Sequence, residues 1–278
     1  MSRTSPSLLL ATEHSEYDAG AERVALDLAR RTGQPLAIVV PIVTNPEFEA
    51  SAPDVALRGD QDAAARVAAL RAAAARAGVD VAIEVRRADE AWRAIVAAAR
   101  MRAADRLVVR RRGRRGFLAQ LLVGEMVNRV AANAPCGVLF VPREAASWTG
   151  RVIAAIDESS IDTAGSSALR MVAAAATEAA RGALPLLIIG VIARDLPAPR
   201  DRMLHTLDLL RTMPDVAALP SSIELRIGRI DEAILGPDGA GSTDLIVICR
   251  RTANGDALAP AVQAVIGKAQ GAVLVTAN

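Results

Sequence analysis

Apolar residues in this chain fall into short continuous runs. Helix-length stretches, in which apolar residues recur every three or four positions, separate the runs. Residues 7–12 predict a strand, and 19–31 a helix stopped by Gly33. Residues 36–43 predict the next strand. A polar connection containing Pro46, Pro53 and Gly59 then leads into a long helix over 60–77, closed by Gly78. Residues 79–86 alternate as a strand, 89–103 are helical, 106–110 form a strand, 119–132 a helix and 137–142 a last strand. The second half repeats the order, with strands at 151–157, 184–193, 222–227, 244–250 and 272–276. Its helices fall at 163–181, 200–212, 231–235 and 259–269. Strands that are mostly unbroken apolar runs, each followed by a helix, predict parallel pairing with helices on both faces. Right-handed crossovers then give an α/β fold with a doubly wound sheet in each half.

Local matches make the repetition a duplication. Ala11-Thr12-Glu13-His14-Ser15 aligns with Ala155-Ile156-Asp157-Glu158-Ser159, and Asp89-Glu90-Ala91 with Asp231-Glu232-Ala233. The run from Asp105 to Arg111 aligns without gaps with that from Asp244 to Arg250. The expected division is a first domain over 1–143, a linker over 144–150 carrying Trp148, and a second domain over 151–278.

Composition narrows the function classes. The chain has 278 residues, 52% of them hydrophobic and only 2% aromatic, which suits Ala-rich helices on aliphatic strands. No apolar stretch approaches the roughly 20 residues of a membrane span, and the first ten residues do not read as a signal peptide, so a cytoplasmic protein is expected. With 33 basic and 31 acidic residues, the charge balance gives no general case for nucleic acid, and no aromatics interleave the basic residues for base stacking. Cys136, Cys249, His14 and His205 lack metal-ligand spacing, so no metal is expected, and both cysteines read as small buried hydrophobes.

The landmarks resemble the universal stress protein family. Its domain opens with a strand ending in an acidic residue and a nearby Ser, here Glu13 and Ser15, then Asp157 and Ser159. It closes with a strand like Ala134-Pro135-Cys136-Gly137-Val138-Leu139-Phe140-Val141. The resemblance covers nearly all of the first half and, more loosely, the second. It implies a Rossmann-like, adenine-nucleotide alpha-hydrolase-like architecture: two tandem doubly wound domains, each with a five-stranded parallel sheet. It also implies pairing of domains through the last strand, made here within one chain, with a homodimer as a further option. The implied role is stress response or regulation, exerted on an unidentified protein partner.

Many members of that family bind ATP through Gly-x-x-Gly, nine residues, then Gly-Ser or Gly-Thr. Glycines let backbone N–H groups approach phosphate. In the first copy Val109 leads into Arg110, which takes the first glycine position, and Gly113 takes the second. Ten residues then precede Gly124, and Glu125 stands where the hydroxyl belongs. A carboxylate facing phosphate at about 4 Å costs about 4 kcal/mol at an effective dielectric of about 20. The crowded Arg110, Arg111, Arg112, Arg114 and Arg115 instead favour an anion, a salt-bridged loop, or an acidic or lipid partner. In the second copy Cys249-Arg250-Arg251-Thr252 and Ala259-Pro260 replace the glycines. The candidate cofactor residues are therefore Glu13, Val109, Arg110, Gly113, Gly124 and Glu125, for ATP or AMP in the first domain only, with none expected in the second.

Other chemistry reads as structural. Ser15 and Ser159 suit helix caps, Asp89-Glu90 and Asp231-Glu232 suit helix starts, and the glycines at 236–241 suit a helix-to-strand connection. No catalytic residue is expected; ATP hydrolysis would need a base, for which Glu13 is the one candidate. The expected function is a universal-stress-type regulator with at most a weakened nucleotide or anion site in its first domain. The alternative is a ligand-free interaction scaffold acting through its domain-pairing surfaces.

Overall fold

A computed structural model describes residues 7–44, 53–111, 124–161, 166–236, 239–253 and 257–277. The chain divides by its internal contacts into two compact units, the first taking in residues up to Glu144 apart from 113–123, the second running on from Ala145.

The first unit runs β1 (Leu8–Ala11), α1 (Ala19–Thr32), β2 (Leu36–Val43), α2 (Pro53–Arg76), β3 (Val81–Ala88), α3 (Ala91–Met101), β4 (Arg106–Arg110), α4 (Glu125–Asn133) and β5 (Gly137–Val141). Its strands lie in the order β3-β2-β1-β4-β5, and every pair is parallel. The central strand β1 registers Leu8 against both Leu36 and Arg106. Its four residues are all buried, whereas the edge strand β3 alternates between half-buried and exposed positions. That contrast separates a strand covered on both faces from one at a rim.

Helix α1 turns Ala21, Val24, Ala25, Leu28 and Ala29 inward, the three- and four-residue spacing of one helical face. Gly33 stops it in the left-handed conformation at φ 66°, donating its N–H to Ala29. Gly20 lies where α1 meets the chain after β5. A Cβ there would fall well inside contact of the Pro142 carbonyl oxygen and 2.7 Å from that of Arg143. Both obstacles are backbone, so Gly20→Ala should destabilise the first unit by about 1–3 kcal/mol. Urea unfolding measures this, and an unchanged midpoint would contradict the packing described.

Helix α2 begins earlier than the residue pattern predicts. Pro53 sits in its first turn, where a missing N–H is harmless, and Gly59 lies inside the helix rather than in the connection before it. Punctuating residues mislead here because one interior glycine costs a helix only about 1 kcal/mol.

The second unit runs β6 (Val152–Asp157), α5 (Ser166–Gly182), β7 (Leu186–Ile192), α6 (Pro197–Arg211), the short α7 (Pro214–Ala217), β8 (Ser221–Ile227), α8 (Ile230–Leu235) and β9 (Leu245–Cys249). A small hairpin of β10 (Thr252–Ala253) and β11 (Ala257–Leu258) follows, then α9 (Pro260–Lys268) and β12 (Ala272–Thr276). Its parallel sheet has the order β12-β9-β6-β7-β8. Strand for strand this is the topology of the first unit, so each half is a doubly wound, five-stranded parallel sheet. A shared detail reinforces the repeat. Asp105 accepts the N–H of Ser7, just before β1, at 2.7 Å, and Asp244 accepts that of Arg151, just before β6, at 3.0 Å.

The repeat is imperfect elsewhere. Asp89 and Glu90 precede α3, whereas Asp231 and Glu232 lie inside α8, and the hairpin has no described counterpart in the first unit. Trp148 is buried, and Thr149 and Gly150 both donate to the Thr243 carbonyl, so the end of the segment read as a linker is fastened to the second unit. Cys136 and Cys249 are both buried. Among the described residues no helix is long and apolar enough to cross a membrane.

Candidate functional site

In open sheets of this topology the place for a ligand is the crevice beyond the strand ends where the order reverses. In the first unit that point lies between β1 and β4. There β1 gives way to Thr12, Glu13 and a left-handed His14 at φ 53°, and a 3₁₀ turn over Glu16–Asp18 carries the chain into α1. Ser15 and Asp18 cap that turn reciprocally. Asp18 Oδ2 accepts both the Ser15 N–H at 2.9 Å and its hydroxyl at 2.6 Å.

Arg110, the last residue of β4, reaches into the same place. Its Nη1 donates to Asp18 Oδ2 at 2.9 Å and to Ser15 Oγ at 2.9 Å, and its Nη2 donates to Glu13 Oε2 at 2.8 Å. The Arg110 side chain is 9% exposed, that of Asp18 1% and that of Glu13 42%. This is a nearly buried guanidinium held between one buried and one half-exposed carboxylate. Among the described residues the pocket that it lines has about 20 Å³, enough for roughly one water. Glu13, Asp18, Val109, Arg110 and Met126 are among the residues lining it. Beside it, Glu22 accepts from the Thr12 hydroxyl at 2.6 Å and lies 3.1 Å from His14 Nδ1.

The six residues singled out from sequence therefore separate. Glu13, Val109 and Arg110 meet at the crevice. Gly124 and Glu125 do not line it: Gly124 precedes α4, and Glu125, 76% exposed, pairs with Arg129 one turn on. A Cβ on Gly124 would meet nothing within 4 Å. Gly113 lies outside the described residues, as do Arg112, Arg114 and Arg115. Arg111 is described; burial pulls its guanidinium down to about 10. Asp18 was not legible as a site residue, although an acid three positions after a Ser at a helix entry is the signature of a capping box.

The second unit repeats the geometry with different contents. Asp157 ends β6 and caps the following 3₁₀ turn, its Oδ1 accepting from the Ser160 N–H at 2.9 Å and from the Ser159 and Ser160 hydroxyls at 2.5 and 2.8 Å. The cap here is thus the acid rather than Ser159. Its Oδ2 accepts from Arg251 Nη1 at 2.7 Å. Glu158 accepts the Ala193 N–H at 2.8 Å. Buried Asp231 accepts from Lys268 Nζ at 2.8 Å and Arg229 Nε at 3.1 Å. Burial alone pushes the Asp231 carboxyl up, but Lys268 and Arg229 more than reverse it and hold the group below the usual carboxylate range. Asp157, Glu158, Ser159, Arg229, Asp231 and Arg251 are among the residues lining a crevice of about 530 Å³.

The model of the universal stress protein family matches residues 6–142. Among solved structures, a universal stress protein from Archaeoglobus fulgidus is similar over 99% of this chain and 99% of its own, at 15% identity and a TM-score of 0.71. A protein of Pseudomonas aeruginosa described as a universal stress protein is similar over 99% and 94%, at 17% identity and a TM-score of 0.68. At such identities the likeness is one of fold, and it spans both units. A universal stress protein in complex with cAMP matches half of the chain at 22% identity and a TM-score of 0.42. No curated protein matches.

Proposed function

The chain belongs to the universal stress protein family through its domain at residues 6–142, and from that premise we propose that it is a cytoplasmic stress-response regulator whose first unit is a ligand-free interaction scaffold. The observation carrying this reading is the Arg110 guanidinium. It lies at the switch point, bonded to Glu13, Ser15 and Asp18, and the pocket it lines among the described residues holds little more than a water molecule. A nucleotide there would have to displace a side chain whose departure strands the buried Asp18 without a cationic partner. No catalytic step is proposed. The competing reading, a weakened ATP or AMP site along Arg110–Glu125, is disfavoured because Glu125 turns to Arg129 and does not line the crevice.

Photolabelling with 8-azido-ATP followed by peptide mapping tests this directly. The expected result is no label, competed by ATP, on peptides containing residues 8–18 or 106–129. Saturable, ATP-competed label on either peptide would sink the scaffold reading of the first unit.

A further inference from the structure

Each sheet ends in an outer strand, β3 in the first unit and β8 in the second, and the two share a pattern: Ile83-Glu84-Val85-Arg86 and Ile223-Glu224-Leu225-Arg226. An outer strand turns a row of N–H and C=O groups away from its sheet, where another strand can pair with it. In β8 the Pro220 carbonyl accepts from the Leu186 N–H, and Gly228 donates to the Ile192 carbonyl, both at 2.9 Å. Even-numbered residues of β8 therefore address β7, and Ser221, Ile223, Leu225 and Ile227 turn their main-chain groups outward. In β3 the Ala88 carbonyl accepts from the Thr44 N–H, so its outward row is Val81, Ile83, Val85 and Arg87.

The two edges are protected differently. The outward row of β3 carries a charge, Arg87, which is bonded to Asp60 of α2. Both carboxylate oxygens of Glu84 are occupied, Oε1 by Arg86 at 2.9 Å and Oε2 by Arg102 at 3.0 Å. The outward row of β8 has no charge and no proline, and its register with β7 runs without a bulge from Ser221 to Ile227. Among the described residues β8 pairs with β7 alone, and Ile227 is exposed. Glu224 accepts there from Arg226 Nε at 2.9 Å and Nη2 at 2.5 Å through Oε2, which leaves Oε1 for a further donor. The usual means of blunting an edge are present on β3 and missing on β8.

We infer that β8 is covered by β8 of a second copy of this chain, paired antiparallel about a two-fold axis at Leu225. Charge selects the register. With the axis at Leu225, Glu224 of each copy faces Arg226 of the other, Ile223 faces Ile227, and Leu225 faces its own counterpart. Outward-turned residues then meet only outward-turned residues, as an antiparallel ladder requires. Moving the axis to Glu224 sets two carboxylates opposite each other, and moving it to Arg226 sets two guanidiniums opposite, both unfavourable. In the chosen register Ile223, Leu225 and Ile227 of both copies form one apolar row on a single face, with the ion pairs on the other. The contact is isologous, so it uses up both edges and closes as a dimer. It lies at the edge of the second sheet away from β12, and so differs from the last-strand pairing that the family resemblance implies.

Sedimentation equilibrium of the intact chain at micromolar concentrations tests this, and the mass should approach twice that of one chain. Glu224→Arg and Arg226→Glu each place like charges opposite in both cross-strand pairs, and each should weaken the dimer about tenfold or more. Each change also puts like charges two positions apart within its own strand, so an equimolar mixture of the two variants is the deciding sample. In the mixed pair every cross-strand contact is again between opposite charges, and the dimer should return. Ile227→Lys puts a charge into the outward row at an exposed side chain, where folding is spared, and should also weaken the dimer about tenfold or more. Three outcomes overturn the inference: a parent chain that stays monomeric, a dimer unmoved by Ile227→Lys, or a mixture no more associated than either variant alone. Photolabel on the first-unit peptides bears on the scaffold reading instead, so the two failures are distinguishable.

Discussion

Arg110→Met should destabilise the first unit by about 3–5 kcal/mol, the cost of removing one partner from a buried ion pair. Met fills much of the stem volume, so packing is largely kept and the effect reports charge. Asp18, 1% exposed, would retain among the described residues the Ser15 N–H and hydroxyl, neither of which carries a charge to offset the carboxylate. Glu13→Gln should cost no more than about 1 kcal/mol, because its carboxylate is half exposed and partly solvated already. The double variant Arg110→Met with Asp18→Asn should recover much of the loss, since the stranded charge is gone while an acceptor for Ser15 remains. Urea denaturation of the three variants measures the set. An Arg110→Met protein as stable as the parent would mean that the guanidinium is not the keystone of the crevice, and the scaffold reading would lose its main support.

The same residue shows where sequence reasoning reached and where it stopped. The doubly wound sheets were legible because the inner strands are unbroken apolar runs. Leu8–Ala11 and Leu186–Ile192 are buried at every position, while the edge strand Val81–Ala88 alternates as an edge strand does. The duplication was legible through short landmarks, and Asp105 and Asp244 prove to make the same strand-start bond. The hairpin of β10 and β11 was not legible, since two-residue strands leave no periodicity to read. Arg110 was identified as an intruder at a glycine position, but the motif says nothing about where its side chain goes. Asp18, its buried partner, is remote in sequence, so only the fold brings them together.

The second unit shows the converse. The missing glycines mean that the backbone cradle of the motif is missing, and the motif is silent about which side chains line the crevice instead. Arg229, Arg251 and Lys268 come from three segments, and no spacing rule links them. Their convergence is a property of the strand ends and of α9.

Lys268→Met should destabilise the second unit by about 3 kcal/mol at neutral pH, near the low end for a broken buried pair because Arg229 remains beside Asp231. The pH dependence identifies the cause. Asp231 has its folded-state pKa held below the unfolded value of about 3.9. Its contribution to stability is therefore present above that value and is lost as pH falls through the lower, folded one. Removing Lys268 raises the folded value, so the variant has less to lose on acidification. The gap between parent and variant should be largest at neutral pH and narrow on acidification, closing only as pH falls through the lowered value that Asp231 has in the parent. Urea midpoints at pH 7, 5 and 3 measure that closing. A gap constant across the range would mean that Lys268 acts through the packing of its methylene stem rather than through charge, and the electrostatic account of the second crevice would have to be rebuilt on Arg229 alone.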